Sequence, residues 1–254
     1  MSEWLVLAIA MAASIAVVLG VVALRERKRA KAGDPDGEGG GPDVMEYMTM
    51  MIGVVYAIVL GLAIAGVWEA RNAAQATVLA EAQALHEVHE RAQAFAPAAR
   101  DRIRSDVDAY VSQVVHKEWP VMIKKQQLTE QGTKLLDKLR TDVTSYTPQN
   151  DHESQSYQPM LDQVGAVNGA RNARSQNADD TMPGVVWFGL IGGALIAVGL
   201  VFTLRIRRSP RELLLAGLYT ALIAFLLFLI WDFNAPFGRE VSDLTGPFTE
   251  LFPV

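Results

Sequence analysis

Four apolar runs punctuate the chain, each about the length that crosses a hydrocarbon core of ~30 Å at ~1.5 Å per helical residue. They cover residues 4–24, 48–68, 185–204 and 213–231, and none holds a charged side chain. Backbone groups in lipid have to be satisfied within their own segment, so the runs predict four spanning helices. The second run organises the rest. At Trp68 it passes into Glu69-Ala-Arg71-Asn-Ala-Ala with no Gly or Pro to stop a helix, and an amphipathic pattern continues to Phe95. One helix is therefore predicted to span the membrane and rise some way beyond it.

Above Trp68 the apolar positions repeat every seven residues. Ala74, Val88 and Phe95 share one register, and Val78, Leu85 and Ala92 the other. Glu81 stands in the first register, where an apolar residue is expected. A second helix is predicted from near Pro97, a favourable first-turn residue. It carries Ile103, Val107, Tyr110, Val111 and Val114 on one side and ends before Trp119-Pro120. A third runs over residues 128–143 with Leu135, Leu136 and Leu139. Residues 145–156 read as a polar loop. A fourth carries Met160, Val164 and Val167, and the same stripe continues to Arg171 and Arg174.

That stripe yields the sharpest expectation. Glu81 lies about 13 residues after the second run, and Arg171 about 14 before the third. Helical rise puts both ~20 Å from the membrane, at matching heights on antiparallel helices. Glu81 is expected to form a structural ion pair with Arg171 or Arg174. The other reading of these charges is that they line an ion route.

The fold class is accordingly all-α: a four-span integral membrane helical bundle with an extracytoplasmic helical domain built on extensions of the second and third spans. Residues 1–24 form the first transmembrane helix and 25–46 a basic, Gly-rich cytoplasmic linker. Residues 47–68 form the second transmembrane helix and 69–184 the extracytoplasmic helical domain. Residues 185–212 hold the third span and a short basic cytoplasmic loop, 213–232 the fourth span, and 233–254 an extracytoplasmic C-terminal segment. The orientation follows from Arg25, Arg27, Lys28, Arg29 and Lys31, and from Arg205, Arg207, Arg208 and Arg211. Basic loops stay in the cytoplasm, so both termini and the helical domain are expected outside. Trp4, Trp68, Trp187 and Trp231 fall at the outer ends of the four spans, as an interfacial belt would. The first run has its basic cluster after it, the reverse of a cleaved signal, and reads as a retained anchor.

Small residues recur along each span: Ala8, Ala12, Ala16 and Gly20; Ala57, Gly61 and Ala65; Gly189, Gly193 and Ala197; Gly217 and Ala221. Such faces let helices approach closely. A compact bundle is expected, with faces left for neighbouring subunits. The C-terminal segment alternates aromatics with Pro and Gly. It is too apolar for a free tail and is expected to fold back on the outer domain or lie at the outer interface.

Composition narrows the chemistry. The 254 residues are 50% hydrophobic and 20% charged, with a net charge of -5. The acidic balance argues against a nucleic-acid partner. The absence of cysteine removes disulfide, thiolate and Cys-metal chemistry. His86-Glu87-Val88-His89-Glu90 places two histidines three apart, whereas a zincin needs them four apart as His-Glu-x-x-His. Glu87 and Arg91 can pair on the helix surface instead. No metal, cofactor or catalytic residue is assigned, and Asp179-Asp180 reads as a solvated turn; an enzyme is not expected.

The spans hold no acid, base or histidine, unlike those of proton pumps and coupled transporters. Charges gather just outside, at Glu69, Arg71 and Asp232. They are either interfacial pairs between helix ends or the mouth of a pore whose constriction is apolar. In the second case Tyr56 and Gly61 lie near the pore's middle.

Several short stretches, in this order and spacing, resemble the bacterial bestrophin-like family, a domain of unknown function. They are Val55-Tyr-Ala-Ile-Val-Leu-Gly-Leu-Ala leading to Val67-Trp-Glu-Ala, then Ala80-Glu81-Ala82, Glu118-Trp119-Pro120, Ala170-Arg171-Asn-Ala-Arg174 and Pro236-Phe237-Gly238. True bestrophins, distant relatives of that family, are oligomeric anion channels with four spans per subunit and a helical domain on the cytoplasmic side. Here the basic loops put that domain outside, and no acidic cluster matches a calcium clasp. The resemblance implies a homo-oligomer in the lipid bilayer of the bacterial cell membrane, conducting ions, anions in particular. The alternative is a non-conducting scaffold or accessory subunit whose outer domain binds a membrane-protein partner.

Overall fold

The computed structural model describes Gly20 and residues 42–179, 182–201, 210–235, 237 and 241–252. The expected first span apart from Gly20, the basic part of the linker, the basic loop at 202–209 and Asp180 lie outside the described residues. Among those described, regular structure is entirely helical. Three helices are long and apolar enough to cross a membrane, at Tyr47–Ala94, Gly184–Val201 and Arg211–Phe233.

The first described helix, α1, runs unbroken over Pro42–Arg91. A 3-10 turn at Ala92–Ala94 follows, then α2 at Pro97–Gln113, a π-helical turn at Val114–Glu118 and α3 at Trp119–Lys125. The remaining helices are α4 (Glu130–Thr144), α5 (Asp151–Asp179), α6 (Gly184–Val201), α7 (Pro210–Phe233) and α8 (Val241–Leu251). The chain divides into two compact units. One comprises residues up to Val67 and Met182–Asn234; the other comprises Trp68–Thr181 and Ala235 onward.

In the first unit, Tyr56 and Leu60 of α1 pack with Leu190, Ala194 and Ala197 of α6 and Ile223 and Ile230 of α7. The Tyr56 hydroxyl donates to the Leu190 carbonyl at 2.8 Å. Its ring lies on Gly193, where an added Cβ would stand 2.5 Å from the ring. A small residue is what permits this approach. Away from that core, Met51, Leu62, Leu195 and Leu218 are each more than half exposed. Apolar surface of this kind needs lipid or another protein to cover it.

The second unit has its own core. Ala74, Val78, Leu85 and Val88 of α1, with Ala92 and Phe95 just beyond its end, are all buried. They meet Ile103, Val107, Tyr110 and Val111 from α2, Val114 from the π turn, Leu136 and Leu139 from α4, and Met160, Val164 and Val167 from α5. Phe237, Phe248 and Phe252 join the same core, so the C-terminal segment belongs to this unit.

Two boundaries differ from the expected ones. The second helix does not stop before Trp119-Pro120. A π turn intervenes, and Pro120 enters the first turn of α3, where a missing N–H does no harm. The loop expected at 145–156 gives way to α5 at Asp151. Asn150 caps that helix: its Oδ1 accepts from Glu153 N at 2.9 Å and its Nδ2 donates to Glu153 Oε1 at 2.9 Å. Glu153 Oε2 also accepts from the Gln149 N–H at 2.7 Å, so the Asn N-cap and the Glu three residues on hold the helix start together, a signal that a polar stretch conceals.

Candidate functional site

Five helical elements of the second unit deliver polar side chains to one buried point. Glu81 comes from α1, Tyr110 from α2, Glu118 from the end of the π turn, Thr129 from the N-cap of α4, and Arg171 and Arg174 from α5. The two carboxylates and two guanidiniums are each at most 3% exposed. Their formal charges cancel, the condition under which buried ions are tolerated.

Arg174 straddles both acids. Its Nε donates to Glu81 Oε2 at 2.7 Å, and its Nη2 donates to Glu81 Oε1 at 3.0 Å and to Glu118 Oε1 at 2.8 Å. Arg171 grips Glu118 in a two-pronged pair, Nη1 to Oε1 at 2.6 Å and Nη2 to Oε2 at 2.8 Å. The Tyr110 hydroxyl links the halves: it donates to Glu81 Oε1 at 2.5 Å and accepts from Arg171 Nη1 at 3.1 Å. Thr129 closes the far side, its N–H and hydroxyl both donating to Glu118 Oε2, at 2.9 and 2.7 Å. Every carboxylate oxygen in the cluster therefore has a donor.

Aromatic faces wall it. The Arg171 guanidinium stands 5.6 Å from the Tyr110 ring centre, and that of Arg174 stands 5.6 Å from the ring centre of Trp119. Phe237 meets Trp119 edge-on with centroids 6.0 Å apart. Gly132, in the first turn of α4, lies directly against Glu118 and Arg171 with no room for a Cβ.

The electrostatics follow from the geometry. Burial alone would raise the Glu118 carboxyl. Its hydrogen bonds from Arg171 and the charges of Arg174 and Arg171 outweigh that and hold it down at about 2. Burial, and then the Glu81 charge, push the Tyr110 phenol well above its ordinary value, so it remains a donor. The folded Glu118 value is depressed, so its contribution to stability is complete above the ordinary value of 4.5 and disappears as pH falls through about 2. The second unit is expected to lose about 2 kcal/mol of stability between neutral pH and roughly pH 3 from this group. Unfolding midpoints measured across that range check this, with Glu118→Gln flattening the dependence.

The structure thus brings Glu81 together with Arg174 directly, and with Arg171 through Tyr110. Tyr110, Glu118, Thr129 and Gly132 were not assigned to this point from the sequence. Glu118 had a signal: it is the next position of the stripe through Val107, Val111 and Val114, inside the expected helix.

The other candidates are distributed differently. Tyr56 is buried in the first unit's core, and Gly61 is exposed in that unit. Glu69 is exposed, while Arg71 and Asp232 are half-buried and engaged in interactions of their own. His86 and His89 turn their rings to Phe252, edge-on at 6.0 and 6.1 Å, a packing role for the C-terminal segment. A half-open cleft of about 260 Å³ lies elsewhere, lined by Ile103, Arg102, Asp142, Tyr146 and Gln149.

Residues 10–242, nearly the whole chain, match the Bestrophin-like domain. Neither the curated proteins nor the solved structures contain a match.

Proposed function

The chain belongs to the bestrophin-like family, and on that premise we propose a homo-oligomeric ion channel, selective for anions, in the bacterial cell membrane. Its pore is built on the membrane half of α1, and Glu69, Arg71 and Asp232 stand at the mouth. The helical domain and both chain ends face away from the cytoplasm. The observation that carries this reading is the exposed face of α1. Met51, Val55, Ile58 and Leu62, at helical spacing, are each more than half exposed, so this stretch needs lipid or copies of itself around it. An apolar constriction with charges just beyond it can gate by dewetting.

Ion flux into liposomes holding the purified protein tests the proposal, with chloride first and cations second. Flux is expected to scale with protein and to favour chloride. Glu69→Gln and Arg71→Gln are expected to change conductance or selectivity by severalfold. If both leave the two quantities untouched, the mouth assignment is wrong.

A second reading, a non-conducting scaffold, draws on the charge cluster. Its four ions are fully compensated and tie together five elements, which suits a rigid docking domain better than an ion route. A folded, oligomeric sample that passes no ion under any gating condition favours that reading.

A further inference from the structure

Asp106 breaks the apolar pattern of α2. It stands on the buried side of that helix with Ile103, Val107 and Tyr110, and it is 4% exposed. A carboxylate so placed needs donors for its oxygens. Oδ1 has one, the Lys138 ammonium of α4. Oδ2 is buried and has no donor among the described residues. What Asp106 meets instead is a second acid: the Asp142 carboxyl of α4 is within its hydrogen-bonding reach.

Lys138 and Asp142 are four apart on α4 and so share a side of it, each beside a buried core residue, Leu139 and Val143. Lys138 comes no nearer to Asp142 Oδ2 than 3.6 Å, and Arg102, one turn before Asp106 on α2, reaches Asp142 Oδ1 at 3.8 Å. Both cations have side chains 58% exposed, so water screens much of their charge. The charges on the neighbouring helices are engaged elsewhere. Tyr110, one turn on from Asp106, meets Glu81 of α1 and Arg171 of α5, while Arg171 and Arg174 are taken up by Glu118 and Glu81. Arg104 of α2 donates to the His89 carbonyl of α1.

Two ionised carboxylates in this arrangement repel each other and leave one buried oxygen unsatisfied. A single proton removes both faults, because a protonated carboxyl donates its O–H to the neighbouring carboxylate. We propose that Asp106 and Asp142 are a proton-binding pair that ties α2 to α4: in mild acid they hold one proton between them, and toward neutral pH they release it and the tie loosens. Asp142 also lines the half-open cleft, which gives the proton a path from solvent.

Burial first, and then Asp142, raise the Asp106 carboxyl above its ordinary value of 3.8, with Lys138 opposing them. Stabilisation from a raised group is complete below the ordinary value and is lost as pH rises through the raised one. The sign is opposite to that of Glu118, whose contribution is complete above 4.5. Between neutral pH and 4.5 the pair therefore acts before Glu118 begins to fail.

The test uses the full chain in detergent, with denaturant unfolding midpoints taken from neutral pH down to 4.5. Over this range the midpoint of the unaltered protein is expected to rise relative to that of D106N, whose amide is a permanent donor to Asp142 and does not titrate. D142N is expected to remove the same rise, and D137N, at an exposed position on the same helix, to keep it. Carboxyl resonances of isotope-labelled aspartate give a second reading, which decides on the unaltered protein even where a variant does not fold. At least one resonance is expected to titrate at higher pH than those of the exposed aspartates, and to lose that behaviour in D106N and in D142N. A rise that survives both substitutions, or aspartate carboxyls that all titrate together, overturns the proposal.

Discussion

Arg174→Met is expected to lower the unfolding free energy of the second unit by about 4 kcal/mol. Methionine keeps most of the stem's packing beneath Trp119, so the loss isolates the charge. Removing the guanidinium takes three donors from two carboxylates that are fully buried. Glu81 is then left with the Tyr110 hydroxyl, while Glu118 keeps Arg171 and Thr129. An uncompensated buried charge is what makes breaking such a pair so costly, even where the intact pair adds little net stability. Denaturant unfolding in detergent, followed by tryptophan fluorescence, measures the loss. Adding Glu81→Gln to Arg174→Met should recover part of it, since an amide does not carry the stranded charge. A double-mutant cycle between Glu81 and Arg174 should give a larger coupling than one between Glu81 and Arg171, which touch only through Tyr110. Equal couplings, or an Arg174→Met loss below about 1 kcal/mol, would falsify this account of the cluster.

The same residues show what could be read from the chain and what could not. The α1 seam was legible because a seven-residue repeat holds over three repeats, and Glu81 stood out as the charge within it. The α5 stripe was legible for the same reason, since Met160, Val164, Val167, Arg171 and Arg174 keep helical spacing to the end. Which partner each charge takes was not legible. Seam position fixes the face and approximate height of a side chain, but a guanidinium reaches over more than a turn. The geometry around Arg174 decides between the acids, and that depends on where Glu118 stands. Glu118 lies within the expected helix, but the stripe was followed only through its apolar members to Val114, and the π turn at Val114–Glu118 leaves no pattern in apolar spacing. In the first unit, the small-residue faces predicted close packing, yet nothing in the spacing says that Tyr56 lies on Gly193 and reaches a backbone carbonyl on α6.

Gly132→Ala is expected to destabilise the second unit by about 3 kcal/mol, although local rules point the other way. Gly132 lies inside α4, where alanine is the better helix former by about 1 kcal/mol. Its backbone is not in the left-handed region, so no conformational demand holds glycine there. The requirement is spatial. An added Cβ would overlap Glu118 Oε2 and stand 2.7 and 3.0 Å from the Arg171 nitrogens. These atoms are not free chain ends that can swing aside. Glu118 is held by Arg171, Arg174 and Thr129, and Arg171 also bonds Tyr110 and the Thr129 carbonyl. To admit one methyl group, the two-pronged pair has to open in a place with no water to replace it, and that outweighs the gain in helix propensity. The direction of the effect is therefore diagnostic. In an Arg171→Ala background, Glu118 has space to move and the pair is already absent, so the same Gly132→Ala change should become close to neutral. If Gly132→Ala instead raises the unfolding midpoint of the otherwise unaltered protein, α4 does not approach the cluster as closely as the Glu118–Arg171 pair requires.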